Sequence, residues 1–139
     1  MSIGDIMKIL VVHPNPKVVD QLLAKLGREL AIKHHTSGLD GLFTSRLEKF
    51  DLIICGTELP IVTGYELIRA VRTYSVNRQT PVIFLADEVD EKAEKLGHAL
   101  GVASLLGSQD TPSQLPTLVD EQFSQWLQQH ETSLKQRLN

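Results

Sequence analysis

Residues 51–64, Asp-Leu-Ile-Ile-Cys-Gly-Thr-Glu-Leu-Pro-Ile-Val-Thr-Gly, constrain this chain more than any other stretch. Leu52, Ile53, Ile54 and Cys55 form an unbroken apolar run. Such a run suits a strand covered on both faces, as strands of parallel sheets are. Gly56 ends the run, and Pro60 and Gly64 bracket a turn before Tyr65–Arg72 resumes with helical spacing. The stretch therefore reads as a strand over 51–55, a loop, and a helix over 64–73. In open α/β sheets ligands and chemistry sit at such strand ends. Here no carboxylate stands where the strand ends.

The rest of the chain repeats this unit. Lys8-Ile-Leu-Val-Val12 is a first apolar strand, ended by His13-Pro-Asn-Pro16, because proline cannot continue a central strand. Val18, Val19, Leu22, Leu23 and Leu26 give helical spacing over 17–29, weakened at Gly27. Residues 31–36 form a short, more polar second strand, as an edge position allows. Ser37 is an N-cap for a helix to about Arg46, with Leu39, Leu42 and Phe43 expected on its inner face. After a polar loop over 75–80, residues 81–86 form a fourth buried strand. Asp90 caps a helix carrying Ala93, Leu96, Ala99 and Leu100 that stops at Gly101. A fifth strand spans 102–106, and a loop with Gly107, Asp110 and Pro112 leads into a last helix from about Ser113.

Five strands alternating with five helices imply a parallel sheet covered on both faces. Right-handed crossovers leave the flavodoxin-like α/β fold, a (βα)5 three-layer sandwich with strand order 2-1-3-4-5, as the natural topology. A length of 139 residues suits one domain, since domains cluster at roughly 100–150 residues. We place that domain at 7–128, with 129–139 a C-terminal helical extension, tail or linker. The formal charge of -3 argues against a nucleic-acid surface, which needs clustered Lys and Arg. The single cysteine, Cys55, lies inside an apolar run and reads as a buried hydrophobe. No signal pattern opens the chain and no apolar run approaches the ~20 residues of a membrane span. A cytoplasmic protein with no membrane contact is expected.

The chain resembles the receiver domain of two-component response regulators. The matching pieces are Lys8-Ile-Leu-Val-Val12 with Pro16, then Asp51-Leu-Ile-Ile…Leu59-Pro60…Gly64-Tyr-Glu-Leu, Pro81-Val-Ile-Phe-Leu and Gly101-Val-Ala-Ser-Leu-Leu. The resemblance implies a signalling module that takes a phosphoryl group on an aspartate after strand 3. It further implies an acidic Mg²⁺-binding pair after strand 1, a hydroxyl after strand 4, and a lysine after strand 5. These groups neutralise charge on the transferring oxygens. In this sequence the acidic pair falls on His13 and Pro14, the acceptor on Gly56, the hydroxyl on Ala86, and the lysine on Ser108. The aromatic switch residue of strand 5 falls on Leu105. Every chemical position has departed. The expectation is a pseudo-receiver with no aspartyl phosphorylation at Gly56 and Mg²⁺ binding lost or weak.

No nucleophile elbow, phosphate-binding glycine loop or Cys–His pairing suggests an enzyme. Two functions stay open. In one the domain acts by phosphorylation-independent protein recognition. In the other the rebuilt pocket at His13, Glu58 and Asp87 senses a metal or small ligand, since a His with two carboxylates is a candidate divalent site. The family's usual surface, helix 4, strand 5 and helix 5, is the expected place for a protein partner or self-association. Leu118, Phe123 and Trp126 of the last helix are the candidate contact residues, with core-edge packing the favoured reading of Trp126 over a partner contact. Leu134 and Leu138 continue the apolar pattern too thinly for a coiled coil.

Overall fold

The computed structural model describes residues 6–26 and 30–138, with the backbone alone for Leu23, Lys25, Leu26 and residues 131–138. The elements alternate strictly: β1 Lys8–Val12, α1 Lys17–Leu26, β2 Ala31–His35, α2 Gly38–Leu47, β3 Leu52–Gly56, α3 Gly64–Tyr74, β4 Val82–Ala86, α4 Glu91–Ala99, β5 Ser104–Gly107 and α5 Thr111–Leu138. The five strands form one sheet in the order β2-β1-β3-β4-β5, and every pairing is parallel. This is the flavodoxin-like topology that the alternating pattern implies. The expected extension of the first helix to residue 29, with Gly27 near its end, lies outside the described residues.

Successive strand residues face opposite sides of a sheet, and the core divides accordingly. Ile9, Val11, Leu52, Ile54, Ile83 and Leu85 face α1 and α5, where they meet Val18, Leu22, Leu115, Val119 and Trp126. Leu10, Val12, Ile53, Cys55, Val82 and Phe84 face the other way, toward Leu67, Ile68, Val71 and Leu100. Each such aliphatic side chain contributes about 1.5–3 kcal/mol by leaving water. β3 and β4 are buried along their whole length, whereas β2 is half exposed, as an edge strand should be.

Several boundaries move by a residue or two. Gly56 does not break β3 but closes it, pairing with Leu85, and the ladder continues as Thr57 N–H donates to Leu85 O at 2.9 Å. β5 likewise starts at Ser104 and takes in Gly107, and α5 starts at Thr111, whose hydroxyl donates to Gly107 O at 2.9 Å. The caps stand where expected. Ser37 accepts from Asp40 N–H, Asp90 accepts from Ala93 N–H, and Gly101 adopts φ +64 just past α4.

α2 is turned over relative to the sequence reading. Its buried residues are Gly38, Gly41 and Ser45, while Leu39 and Phe43 are exposed and Leu42 is half-buried. The reason is steric. A Cβ at Gly38 would overlap the Val62 carbonyl, and one at Gly41 would overlap the Val12 side chain. Only the glycine face of this helix can approach the sheet so closely, so its large apolar residues face outward.

The loop over 75–80 is polar, yet part of it is buried. Asn77 is fully enclosed and accepts from Phe50 N–H at 2.8 Å. Its amide donates to Ser45 O at 2.7 Å and Glu48 O at 2.8 Å, and Thr80 Oγ1 donates to its Oδ1 at 3.0 Å. One side chain thus ties the end of α2 to the approaches of β3 and β4. Removing it strands several buried groups, each worth roughly 1–3 kcal/mol when unsatisfied. Asn77→Ala is expected to lower stability by about 2–4 kcal/mol in urea denaturation with an unchanged m value. Asn77→Asp should cost a similar amount, because a carboxylate cannot donate to the two carbonyls.

Candidate functional site

The sheet delivers the sequence-predicted residues to its C-terminal edge, because each follows a strand. The close approach of α3 sets the site's floor. A Cβ on Gly64 would overlap the Gly56 carbonyl, and Gly64 N–H donates to Thr57 O at 3.1 Å. The loop over 57–63 must therefore turn out and back within a few residues. It does so through Ile61, a β-branched residue at φ 68, a conformation that costs about 1–3 kcal/mol and persists only when its surroundings impose it.

His13 lies across the end of β3. A Cβ added to Gly56 would stand 3.1 Å from His13 Cδ2 and 3.6 Å from Leu59 Cδ2, so the imidazole fills the space into which a side chain at 56 would project. The residue is held by ring and backbone. The ring Nδ1 accepts from Asn15 N–H at 3.0 Å, the His13 backbone N–H donates to His35 O at 3.0 Å, and its backbone carbonyl lies 2.9 Å from His34 Nε2. Burial pushes the His13 imidazole below its ordinary 6.5. Pro14 is exposed and offers no ligand.

Glu58 and Asp87 meet at the rim, both exposed. The neighbouring Asp87 carboxyl raises the Glu58 carboxyl above its ordinary value. Ser108 Oγ donates to Asp87 O at 3.0 Å, a loop tie in place of a lysine charge. Ala86 is buried with no hydroxyl, and half-buried Leu105 packs on the core beside it.

Thr57, Tyr65 and Lys92 carry the rest of the site, and no pattern in the sequence singles them out. Thr57 is buried, and burial raises the Tyr65 hydroxyl above its ordinary value. The Tyr65 ring stands edge-on to Phe84, with centroids 5.4 Å apart, and the Lys92 ammonium lies 5.8 Å over it. Together with Glu58, Glu88 and Asp90 these residues line a cleft of about 480 Å³. The opening thus lies between the β3–α3 loop and the start of α4, beside Gly56 rather than above it.

A hard cation such as Mg²⁺ wants several oxygen ligands in near-octahedral array. The positions that would supply them are an imidazole with one nitrogen already engaged, a proline and a glycine. Glu58 and Asp87 stand exposed at the rim. Among the described residues no group of three or more His, Cys, Asp or Glu is placed to hold a metal ion, the His13, Glu58 and Asp87 trio included. These residues do not fit the ion, so no step at this site runs through it. His34 and His35 also diverge, the second bonding Thr44 Oγ1 at 2.8 Å. Cys55 is buried, which pushes its thiol up, so it is unreactive.

The candidate partner residues of α5 face inward. Trp126 is only 6% exposed and sits in the α1–α5 core cluster, and Leu118 and Phe123 are partly buried against that same cluster. Trp126 stacks on Phe123 and His130 at centroid distances of 5.6 and 4.1 Å. Trp126 offers no free apolar surface, and Leu118 and Phe123 keep only part of theirs. The reason is register: α5 lays these residues along the stripe that covers β1, β3 and β4.

No family model matches the chain. It is 34% identical over 95 residues to the transcriptional regulatory protein HprR of Escherichia coli, covering 65% of this chain and 40% of that one. It is 32% identical over 83 residues to the probable transcriptional regulator ycf29 of Porphyra purpurea, covering 60% and 40% respectively. The chain thus spans less than half the length of these curated relatives. Among solved structures it superimposes on the chemotaxis protein CheY4 of Vibrio cholerae with a TM-score of 0.72 at 25% identity, covering 84% of this chain and 98% of that one. The receiver domain of the Pseudomonas aeruginosa sensor histidine kinase PA1611, solved with magnesium in its active-site cleft, matches in fold with a TM-score of 0.72 at 20% identity, covering 86% and 98%. Structural neighbours and homologues together support a response-regulator receiver (CheY-like) domain. Among the described residues no helix is long and apolar enough to cross a membrane.

Two titrations check this electrostatic description. The His13 imidazole, followed by NMR, is expected to titrate with a midpoint below 6.5. Its folded value is depressed, so its contribution to stability is present above that pH and lost as pH falls. Glu58 has the opposite sign. Its raised folded value favours the fold while the Glu58 carboxyl is protonated, and that contribution fades as pH rises. Glu58→Gln, which keeps a donor for Asp87 and removes a charge, should melt with the parent near pH 4 and above it at pH 7.

Proposed function

We propose that this domain is a cytoplasmic pseudo-receiver, a non-catalytic signalling module that takes no phosphoryl group at position 56 and works by binding protein. The observation that carries the reading is the His13 ring lying over Gly56. Phosphoryl transfer to a receiver needs a nucleophilic carboxylate, cation ligands around it, and a positive charge to offset the transferring oxygens. Glycine supplies no nucleophile, the ring occupies the space, and the nearest ionisable rim groups are the carboxylates Glu58 and Asp87. Those carboxylates repel an anion. The signalling context rests on the likeness to receiver domains, and the net charge of -3 favours a protein partner over nucleic acid.

The test is an amide-resolved NMR titration with Mg²⁺ and beryllofluoride, paired with mass measurement after incubation with acetyl phosphate. The expected result is no adduct and no specific shift at residues 13, 56–58, 87 and 108. Gly56→Asp alone should also stay unmodified, because its new side chain meets the His13 ring. A phosphoryl mass mapped to residues 56–58 of the parent protein would overturn the reading. Saturable shifts at His13, Glu58 and Asp87 with a divalent cation alone would replace it with a ligand-sensing one.

A further inference from the structure

The large hydrophobic side chains left in solvent are unevenly placed. Among the described residues none of the large exposed ones lies on α4, β5 or α5, whereas three lie on α2 alone. Leu39, Phe43 and Leu47 are 45%, 54% and 87% exposed. They stand four residues apart, so they form one continuous stripe along the helix. An apolar stripe held outward by a glycine face is a surface suited to a partner.

The charges beside the stripe say which partner. At about 100° per residue, the stripe centres on Phe43, with Asp40 about 60° to one side and Arg46 about 60° to the other. Both are exposed, and Arg46 makes no ion pair among the described residues. Two copies of this helix packed antiparallel by a two-fold axis would put Asp40 on the same flank as the other Asp40, and Arg46 beside Arg46. Packed parallel, each flank carries one Asp40 and one Arg46 from opposite copies. The two are about 9 Å apart along the axis, within reach of an arginine that leans toward the helix N-terminus. The pattern is complementary to itself in one orientation only.

The geometry points to a second copy of this chain as the occupant, docked α2 against α2 in parallel about a two-fold axis. The stripe packs on its own equivalent, and Asp40 of each protomer faces Arg46 of the other. This goes beyond the reading of the pocket and does not depend on whether position 56 takes a phosphoryl group. Three side chains per copy make a small contact, so the dimer is a transient one, with a Kd of about 10⁻⁴ M.

Sedimentation equilibrium and NMR dilution of the whole chain, from about 1 mM downward around that Kd, test it. Concentration-dependent shifts are expected at residues 39–47, with Phe43→Glu weakening association more than tenfold. Arg46→Asp and Asp40→Arg should each weaken it several-fold, and an equimolar mixture of the two should return to the parent value, since both flanks are then paired again. Ser37 donates to Asp40 at 3.0 Å, so if Asp40→Arg frays α2, Arg46→Asp alone decides. A protein that stays monomeric throughout, or an indifferent Phe43→Glu, overturns the proposal. Unchanged association in the charge variants also overturns it, because an antiparallel pair or a general apolar contact would not notice them.

Discussion

The seating of α3 on the end of β3 governs the rest of this molecule's upper edge. Gly64 rests against the Gly56 carbonyl, at a distance no Cβ would tolerate. That contact forces the connecting loop to close tightly through a left-handed Ile61, and it leaves Thr57 buried at the cleft that Tyr65 also lines. Tyr65 in turn meets Phe84 on β4 and Lys92 on α4. A single backbone approach therefore propagates across two strands and two helices, and it opens the cleft on the α3–α4 side of Gly56.

Around that approach, packing and neutral hydrogen bonds hold positions that a receiver of the phosphorylated kind would fill with charge. His13 sits partly buried with its Nδ1 engaged, Ala86 and Leu105 join the apolar core, and Ser108 ties two loops together. Two carboxylates, Glu58 and Asp87, stand exposed at the rim, where Asp87 raises the Glu58 carboxyl above its ordinary value. At the opposite edge Asn77 and Arg72 act as polar latches, the guanidinium bonding Thr80 O at 2.7 Å and Leu100 O at 2.9 Å.

The fold was legible because strands and helices advertise themselves locally. A fully apolar run such as 52–55 has only one comfortable place, the middle of a covered sheet. The cap residues Ser37, Asp90 and Gly101 act within a turn of themselves, so they too read directly. α2 did not. Its apolar residues suggested an inner face, and the helix is inverted because glycine permits a closer approach than leucine. Burial pattern follows from how near two elements come, and that distance is a property of both. Trp126 packs at the core as its favoured reading expected, whereas Leu118 and Phe123, offered as contact residues, are partly buried against the same cluster. An amphipathic stripe does not say whether it covers its own sheet or another molecule.

What the sequence determined by itself is the alternation of elements, the parallel topology that alternation compels, and the missing carboxylate at Gly56. All three depend on residues adjacent in the chain or on a spacing within one element. The tertiary structure alone decided that His13 lies over Gly56, that Glu58 meets Asp87, and that Leu39, Phe43 and Leu47 face water. Those facts join residues tens of positions apart, or depend on the depth of a neighbouring element. They arise only when the sheet brings its strand ends together, because a side chain's surroundings are set by whatever else must occupy the same space.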